Sequence, residues 1–142
     1  MRAHWVHVQR DLSAPVEEVF AHLAEHENLA ALFGAKVKRL NDGDTERNGV
    51  GSRRELKVGP TPAFEETVTQ YVPNKLIEYK ITKGSPLDGH VGTMKFSPTS
   101  SGGTHFDYRI RIASKIPLLA PVVARQLTKD VEKGLAGVPG GR

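Results

Sequence analysis

Arg54 and Glu66 are the two charged residues whose positions best fit chemistry inside an enclosed site. Both fall on the inner face of adjacent predicted strands, one diagonal step apart. The Arg54 guanidinium is a forked donor that could polarise a carbonyl or hold a carboxylate or phenolate, and Glu66 could accept a proton. The two side chains could equally pair with each other at the mouth of a cavity. Both interpretations stay open at this stage.

Tyr79 and Tyr108 are predicted to share the same inner face. They could present hydroxyls inside an apolar wall, where they would orient or protonate a ligand, or they could be core residues whose hydroxyls point at water. Tyr108 therefore joins Arg54 and Glu66 as a candidate catalytic residue. Gly92 leaves out a side chain nearby, which favours open space there. No nucleophile with an adjacent base is evident.

The stretch from His22 to His26 matches H-x-x-E-H, the signature of the inverted zincins. In that interpretation His22 and His26 would bind zinc from one helical face and Glu25 would be the general base. A zinc protease needs a further ligand and a substrate cleft, so we favour exposed helix residues and predict no metal site and no cofactor. The other histidines lie on predicted strands without ligand spacing: His4, His7, His90 and His105.

The elements that must position these residues are one strand, a short helical pair, a long run of strands and one amphipathic helix. Apolar residues alternate over residues 4–12 and recur at helical spacing from Val16 to Leu23, followed by a second helical stretch over 27–33. Further strands are predicted at 35–40, 50–58, 64–72, 75–83, 90–97 and 104–112, and the last helix at about 118–135.

Counting outward from the turns places the inner-face residues in rows across the sheet. One row runs Arg54, Val68, Tyr79, Met94, Tyr108, and its neighbours run Glu66, Ile81, Gly92, Ile110 and Gln70, Ile77, Phe96, Phe106. This face is too polar for a solid core and too apolar for a wetted surface, so we expect a cavity lined by these residues. Val123, Leu127 and Val131 would line it from the last helix.

Three sequence segments carry a resemblance to a known superfamily. The segment Leu12, Ser13, Ala14, Pro15, Val16, Glu17, Glu18, Val19, Phe20 resembles the opening of the SRPBCC (START/birch-pollen-allergen-like) superfamily, particularly its polyketide cyclase/dehydrase branch. Residues 49–54, with Gly49, Gly51 and Arg53, are similar to that branch's Gly-x-Gly-x-Arg motif, and residues 117–125 resemble its terminal helix. One departure is Leu32 and Phe33 where the branch often has a Trp.

The resemblance implies an α+β helix-grip fold. In this fold a curved antiparallel sheet of six to seven strands wraps around a long C-terminal helix, with two short helices after the first strand. A cavity between sheet and helix would accept a hydrophobic or aromatic molecule of lipid, polyketide or quinone type. A cyclase or dehydratase using Arg54, Glu66 and Tyr108 is the first alternative, and a partner-binding protein with a vestigial cavity is the second.

Composition limits the remaining possibilities. The 142 residues suit one domain, 1–142, with a flexible tail over 137–142. The net charge is +4, but 20 basic and 16 acidic residues alternate along the chain, so no nucleic-acid partner is expected. No apolar run approaches the roughly 20 residues that span a bilayer, and the first residues show no secretory signal. The absence of cysteine fits a cytoplasmic protein. The oligomeric state stays open.

Overall fold

The computed structural model describes residues 2–142 and contains one antiparallel sheet of seven strands. The strands are β1 His4–Leu12, β2 Lys36–Asn41, β3 Arg53–Lys57, β4 Phe64–Val72, β5 Leu76–Lys83, β6 Val91–Pro98 and β7 Thr104–Ile112. The α-helices are α1 Val16–Ala24, α2 Leu29–Phe33 and α3 Leu119–Gly134, with single 3-10 turns at His26–Asn28 and Leu135–Gly137. The predicted helix-grip fold is confirmed.

The strand order β1-β7-β6-β5-β4-β3-β2 makes β1 and β2 the opposite edges of the sheet. The segment that joins them contains α1 and α2, so this helical pair must cross the width of the sheet. Val19, Phe20 and Leu23 face inward from α1 and are buried. Gly34 ends α2 in the left-handed region, with φ of +63°, which a residue without a Cβ adopts at little cost. The crossing thereby covers one part of the inner face.

Helix α3 packs against β1 and α2. Ala120, Ala124 and Val131 are its buried residues. Gly134 allows close approach to α2, since a Cβ there would lie 2.4 Å from the Leu32 carbonyl oxygen. Because α3 packs mainly against β1 and α2, Val123 and Leu127 remain only half-buried over the rest of the sheet.

The strand registers differ from the predicted rows in two places by two residues. Arg54 pairs with Glu66 rather than Val68, and Tyr79 pairs with Gly92 rather than Met94. The pairing of Met94 with Tyr108 is as predicted. A shift of two residues moves a side chain along the sheet without moving it to the other face, so the inner-face assignment of these residues survives.

A bulge in β4 overturns the prediction for Gln70. Val68 pairs with Tyr79, but Gln70 then pairs with Glu78 instead of Ile77, so one extra β4 residue lies between the two pairs. The bulge reverses the alternation. Gln70 is exposed and donates to the Glu78 carboxylate at 2.9 Å.

The end of the chain packs back against the start of α1. Just before α1, the Ser13 amide donates to the Gly140 carbonyl at 3.1 Å and so fixes the chain end against the start of the helix. The chain end beyond Gly137, for which mobility is expected, places Val138 in the core with 4% of its surface exposed. None of the helices within residues 2–142 has the length and apolar character needed to cross a membrane.

Candidate functional site

A cavity of about 300 Å³ lies between β3, β4 and β5 on one side and α3 on the other. Its walls are apolar side chains from four elements: Phe33, Leu56, Phe64, Leu119, Val123 and Leu127. Loop residues around Thr61 and Pro62 and from Gly84 to Leu87 complete the lining. Leu56 and Phe64 are a cross-strand pair directly beside Arg54 and Glu66, so the local β3–β4 register sets this wall.

Three buried residues of the cavity lining have polar side chains: Glu66, Tyr79 and His90. Their exposed fractions are 3%, 1% and 6%, whereas Thr61, Pro62 and Gln126 of the same cavity are exposed to solvent. The cavity is therefore an apolar space with a polar inner end and an open outer end. This combination is typical of small-molecule sites.

The polar end is built on an ion pair between β3 and β4. Arg54 Nε donates to Glu66 Oε1 at 2.9 Å, and Nη2 lies 2.8 Å from the same oxygen without the alignment of a hydrogen bond. The guanidinium carbon also lies 4.7 Å from the centre of the Tyr79 ring. Arg54 does not border the cavity. The pairing left open by the sequence is thus formed, and it is buried rather than at the cavity mouth.

Tyr79 fills the space expected beside Gly92. A Cβ on Gly92 would lie 2.1 Å from the Tyr79 ring, so the missing side chain accommodates the neighbouring ring and not a ligand. The Tyr79 hydroxyl is hydrogen-bonded to the Tyr108 hydroxyl. Burial raises the pKa of both phenols above its ordinary value. Tyr108 is fully buried and does not border the cavity, which removes it from contact with a ligand there.

His90 is a cavity residue that the sequence analysis missed. Its Nε2 lies 3.9 Å from Glu66 Oε2, and its Nδ1 is enclosed without a hydrogen-bond partner among residues 2–142. Burial lowers the pKa of His90, with Glu66 acting against this effect and Arg54 adding to it. The signal was available, because His90 continues the even-numbered inward alternation of Gly92, Met94 and Phe96.

The H-x-x-E-H segment is not arranged on one helix. Helix α1 ends at Ala24, and Glu25 is extended, with ψ of 114°. His26 is completely buried, contrary to the expectation of an exposed residue, and its Nε2 lies 3.0 Å from Ser52 Oγ. Glu25 instead pairs with Arg39 at 2.7 Å. Within residues 2–142, no group of three or more acidic or histidine side chains is placed to hold a metal ion.

Comparison with known proteins identifies the family. The model of the family described as polyketide cyclase/dehydrase and lipid transport matches residues 3–139. The chain belongs to this family. No curated protein matches the sequence significantly.

Solved structures of the START-like fold are similar to this member of the polyketide cyclase/dehydrase and lipid transport family. A START superfamily protein from Mycobacterium smegmatis aligns with a TM-score of 0.78 at 17% identity, over 94% of this chain and 95% of that one. The Zhui aromatase/cyclase from Streptomyces sp. R1128 gives 0.74 at 17% identity, over 96% and 93%. Norcoclaurine synthase from Thalictrum flavum gives 0.72 at 15% identity, over 98% and 92%. At these identities the likeness concerns the fold.

The structure of this family member separates the predicted ligand-binding residues into three groups. Glu66, Tyr79, Val123 and Leu127 border the cavity. Buried core residues that do not border it are Arg54, Val68, Ile77, Gly92, Met94, Phe96, Phe106, Tyr108, Ile110 and Val131. Ile81 is half-buried beside Glu66 outside the cavity, and Gln70 is exposed.

Phe96 and Phe106 belong to the core group because α1 packs over their part of the sheet. The Phe20 ring lies 5.1 Å from Phe96 and 5.4 Å from Tyr71, and Phe96 lies 5.4 Å from Phe106. These rings fill the inner face with the protein's own side chains. Phe33, at the departure from the family's sequence pattern, forms part of the cavity wall instead.

Proposed function

We propose that the protein binds a hydrophobic or aromatic small molecule, of lipid, polyketide or quinone type, in the cavity between the β3–β5 region and α3. The observation that carries this proposal is the cavity of about 300 Å³ with apolar walls and a buried polar end. Space of this size and lining lies within the range of small-molecule sites. The family description, which names both cyclase/dehydrase activity and lipid transport, supports the same ligand class.

Native mass spectrometry of the purified protein, followed by denaturing extraction, tests the proposal directly. An apolar compound bound at a ratio near one to one is the expected result. A protein that is empty and also fails to bind a fluorescent hydrophobic probe would contradict it. That outcome would favour a partner-binding protein whose cavity has no ligand.

A pair of variants on α3 locates the binding. Val123 lines the cavity, whereas its neighbour Val122 is 63% exposed. Val123→Phe places a ring in the cavity and is expected to weaken binding of the hydrophobic probe at least tenfold, while Val122→Phe leaves it unchanged. Fluorescence titration measures both, with circular dichroism to show that each variant is folded. Equal binding by the two variants would place the ligand elsewhere.

Glu66 and His90 favour a second candidate, an enzyme of the cyclase or dehydratase type. A carboxylate and a neutral imidazole at the inner end of a cavity are groups that can accept a proton from a bound molecule. Arg54 would not polarise a carbonyl in such an enzyme, because it does not border the cavity. Its contacts with Glu66 and Tyr79 make it a positioning residue. Conversion of the extracted compound by wild-type protein, at a rate that falls more than the affinity does in folded Glu66→Gln, would establish an enzyme that uses Glu66. Binding without turnover would leave the binding function alone.

A further inference from the structure

Two polar atoms at the inner end of the cavity have no hydrogen-bond partner among residues 2–142. Glu66 uses Oε1 for Arg54, which leaves Oε2 without a donor. His90 Nε2 lies 3.9 Å from that oxygen, beyond the range of a hydrogen bond. Both residues line the cavity, and the enclosed unpaired nitrogen of His90 is Nδ1 rather than Nε2. The pair Glu66 Oε2 and His90 Nε2 is therefore available to a ligand.

The protonation of His90 follows from its surroundings. Burial holds the pKa of His90 below its ordinary value, so the imidazole is neutral near pH 7 and carries one N–H. A proton on Nε2 faces the Glu66 carboxylate favourably, whereas a lone pair on Nε2 would face it unfavourably. The inner end thus presents one N–H donor and one carboxylate acceptor side by side.

A hydroxyl group satisfies both atoms at once. An oxygen placed beside the 3.9 Å gap can lie within hydrogen-bond distance of both, accepting from His90 Nε2 and donating to Glu66 Oε2. A ketone can only accept, and a hydrocarbon can do neither. A carboxylate would be repelled by Glu66, and Arg54 cannot compensate because it is already paired and does not border the cavity.

We propose that the molecule bound in the cavity carries a phenolic or alcoholic hydroxyl, held between Glu66 Oε2 and His90 Nε2, with its apolar body against Phe33, Leu56 and Val123. This inference rests on the proposed binding function and adds the class of polar group that the site selects.

Three naphthalenes that differ only in the group at position 2 test whether the site selects a hydroxyl. They are 2-naphthol, 2-methylnaphthalene and 2-naphthoate, titrated by calorimetry at pH 7. We expect 2-naphthol to bind about tenfold more tightly than 2-methylnaphthalene, the size of effect that hydrogen bonds to a polar site contribute. We expect 2-naphthoate to bind most weakly. In His90→Phe the preference for 2-naphthol should fall to about threefold or less, while His7→Phe, which changes an exposed histidine on β1, should keep it.

Nuclear magnetic resonance of the wild-type histidine side chains gives a second readout that does not depend on the variant folding. Binding of 2-naphthol should shift the His90 Nε2–H signal, and 2-methylnaphthalene should not reproduce that shift. Equal affinities for 2-naphthol and 2-methylnaphthalene, or tightest binding of 2-naphthoate, would overturn this inference and leave the binding function intact. Binding of none of the three probes would overturn both.

Discussion

His26 is a single buried polar residue that makes the stability of this fold depend on pH. Ser52 donates its hydroxyl proton to the Gly49 carbonyl at 2.7 Å, so it can only accept from His26 Nε2–H. The other ring nitrogen is enclosed without a partner among residues 2–142. Burial, with Arg54 and Arg39 adding to it, lowers the pKa of His26 to about 3. The folded protein therefore holds this imidazole neutral.

Acid should destabilise the protein through His26. The unfolded chain protonates His26 near pH 6.5 and the folded chain near pH 3, so between these values the unfolded state binds more protons. The neutral His26 therefore causes no loss of stability above about pH 6.5. As the pH falls from there toward 3, the free energy of unfolding should decrease by up to about 1.4 kcal/mol per pH unit. Urea unfolding at pH 7.5, 5.5 and 4.5 measures it.

His26→Gln should flatten this pH dependence, because an amide can still donate to Ser52 but does not titrate. His7→Gln, at an exposed position, should leave the wild-type slope unchanged. An unaltered slope in His26→Gln would show that other groups cause the acid sensitivity. The pKa of His90 is also lowered, so His90 likewise reduces the free energy of unfolding in acid. Some pH dependence should therefore remain in His26→Gln.

At the scale of elements, the cross-strand pairs of β3 and β4 have two environments. Arg54 and Glu66 pair on the inner face with 2% and 3% of their surfaces exposed. One residue earlier on each strand, Arg53 pairs with Glu65 on the outer face, where the Arg53 side chain is 42% exposed. The same two strands therefore carry one Arg–Glu ion pair that is buried and one that is partly exposed to solvent.

Removing one partner of the ion pair should lower the free energy of unfolding much more on the inner face than on the outer face. Glu66→Gln leaves the Arg54 charge buried and should lower the free energy of unfolding by roughly 3–5 kcal/mol. Glu65→Gln should lower it by less than about 1 kcal/mol. The double variant Arg54→Met, Glu66→Leu should recover most of the loss, since no buried charge then lacks a partner. Chemical denaturation of the four proteins measures the differences, and similar costs for Glu66→Gln and Glu65→Gln would contradict the buried pairing.

Element order and inner-face alternation were predictable from the sequence, but the strand registers were predictable only in part. Met94 opposite Tyr108 followed from the short loop between β6 and β7, whereas Tyr79 opposite Gly92 spans the longer 84–89 loop, whose length does not fix a register. The bulge that exposes Gln70 has no local sequence signal that distinguishes it from a regular strand. Errors of two residues kept each side chain on its face, and the bulge of one residue did not.

At the scale of the whole molecule, the inner face of the sheet is divided between a core and a cavity. Helix α1 and its aromatic neighbours fill one part, and α3 leaves about 300 Å³ over the other. The sequence predicted inward-facing residues on both parts, but it could not show where α1 would lie across the sheet. For this reason the predicted ligand-binding set contained core residues such as Met94 and Phe106, and omitted Leu56 and Phe64.

A ligand that fills the cavity should stabilise the whole fold, because it binds the native state and the unfolded chain has no cavity. At a free concentration about one hundred times its Kd, the ligand should add about 2.7 kcal/mol, or a rise in Tm of roughly 5–10 °C for a chain of this size. Differential scanning calorimetry measures the shift. Val123→Phe should lose most of it, and a shift of equal size in that variant would show stabilisation from another site.

The close fit of Tyr79 against Gly92 gives protein engineers one position that sets the depth of the binding site. Tyr79→Ala would join the space above Gly92 and beside Tyr108 to the present cavity, so the variant should accept longer or wider ring systems than the wild type, at a cost in stability of roughly 3–5 kcal/mol. Affinities for a series of polycyclic compounds of increasing size would show the altered upper limit. The change Gly92→Ala would act on the site only through Tyr79, since its methyl group would meet the Tyr79 ring, which lines the cavity, and force it to shift. The Tyr79 ring is thus the point through which both strands of this pair influence selectivity for ligand length.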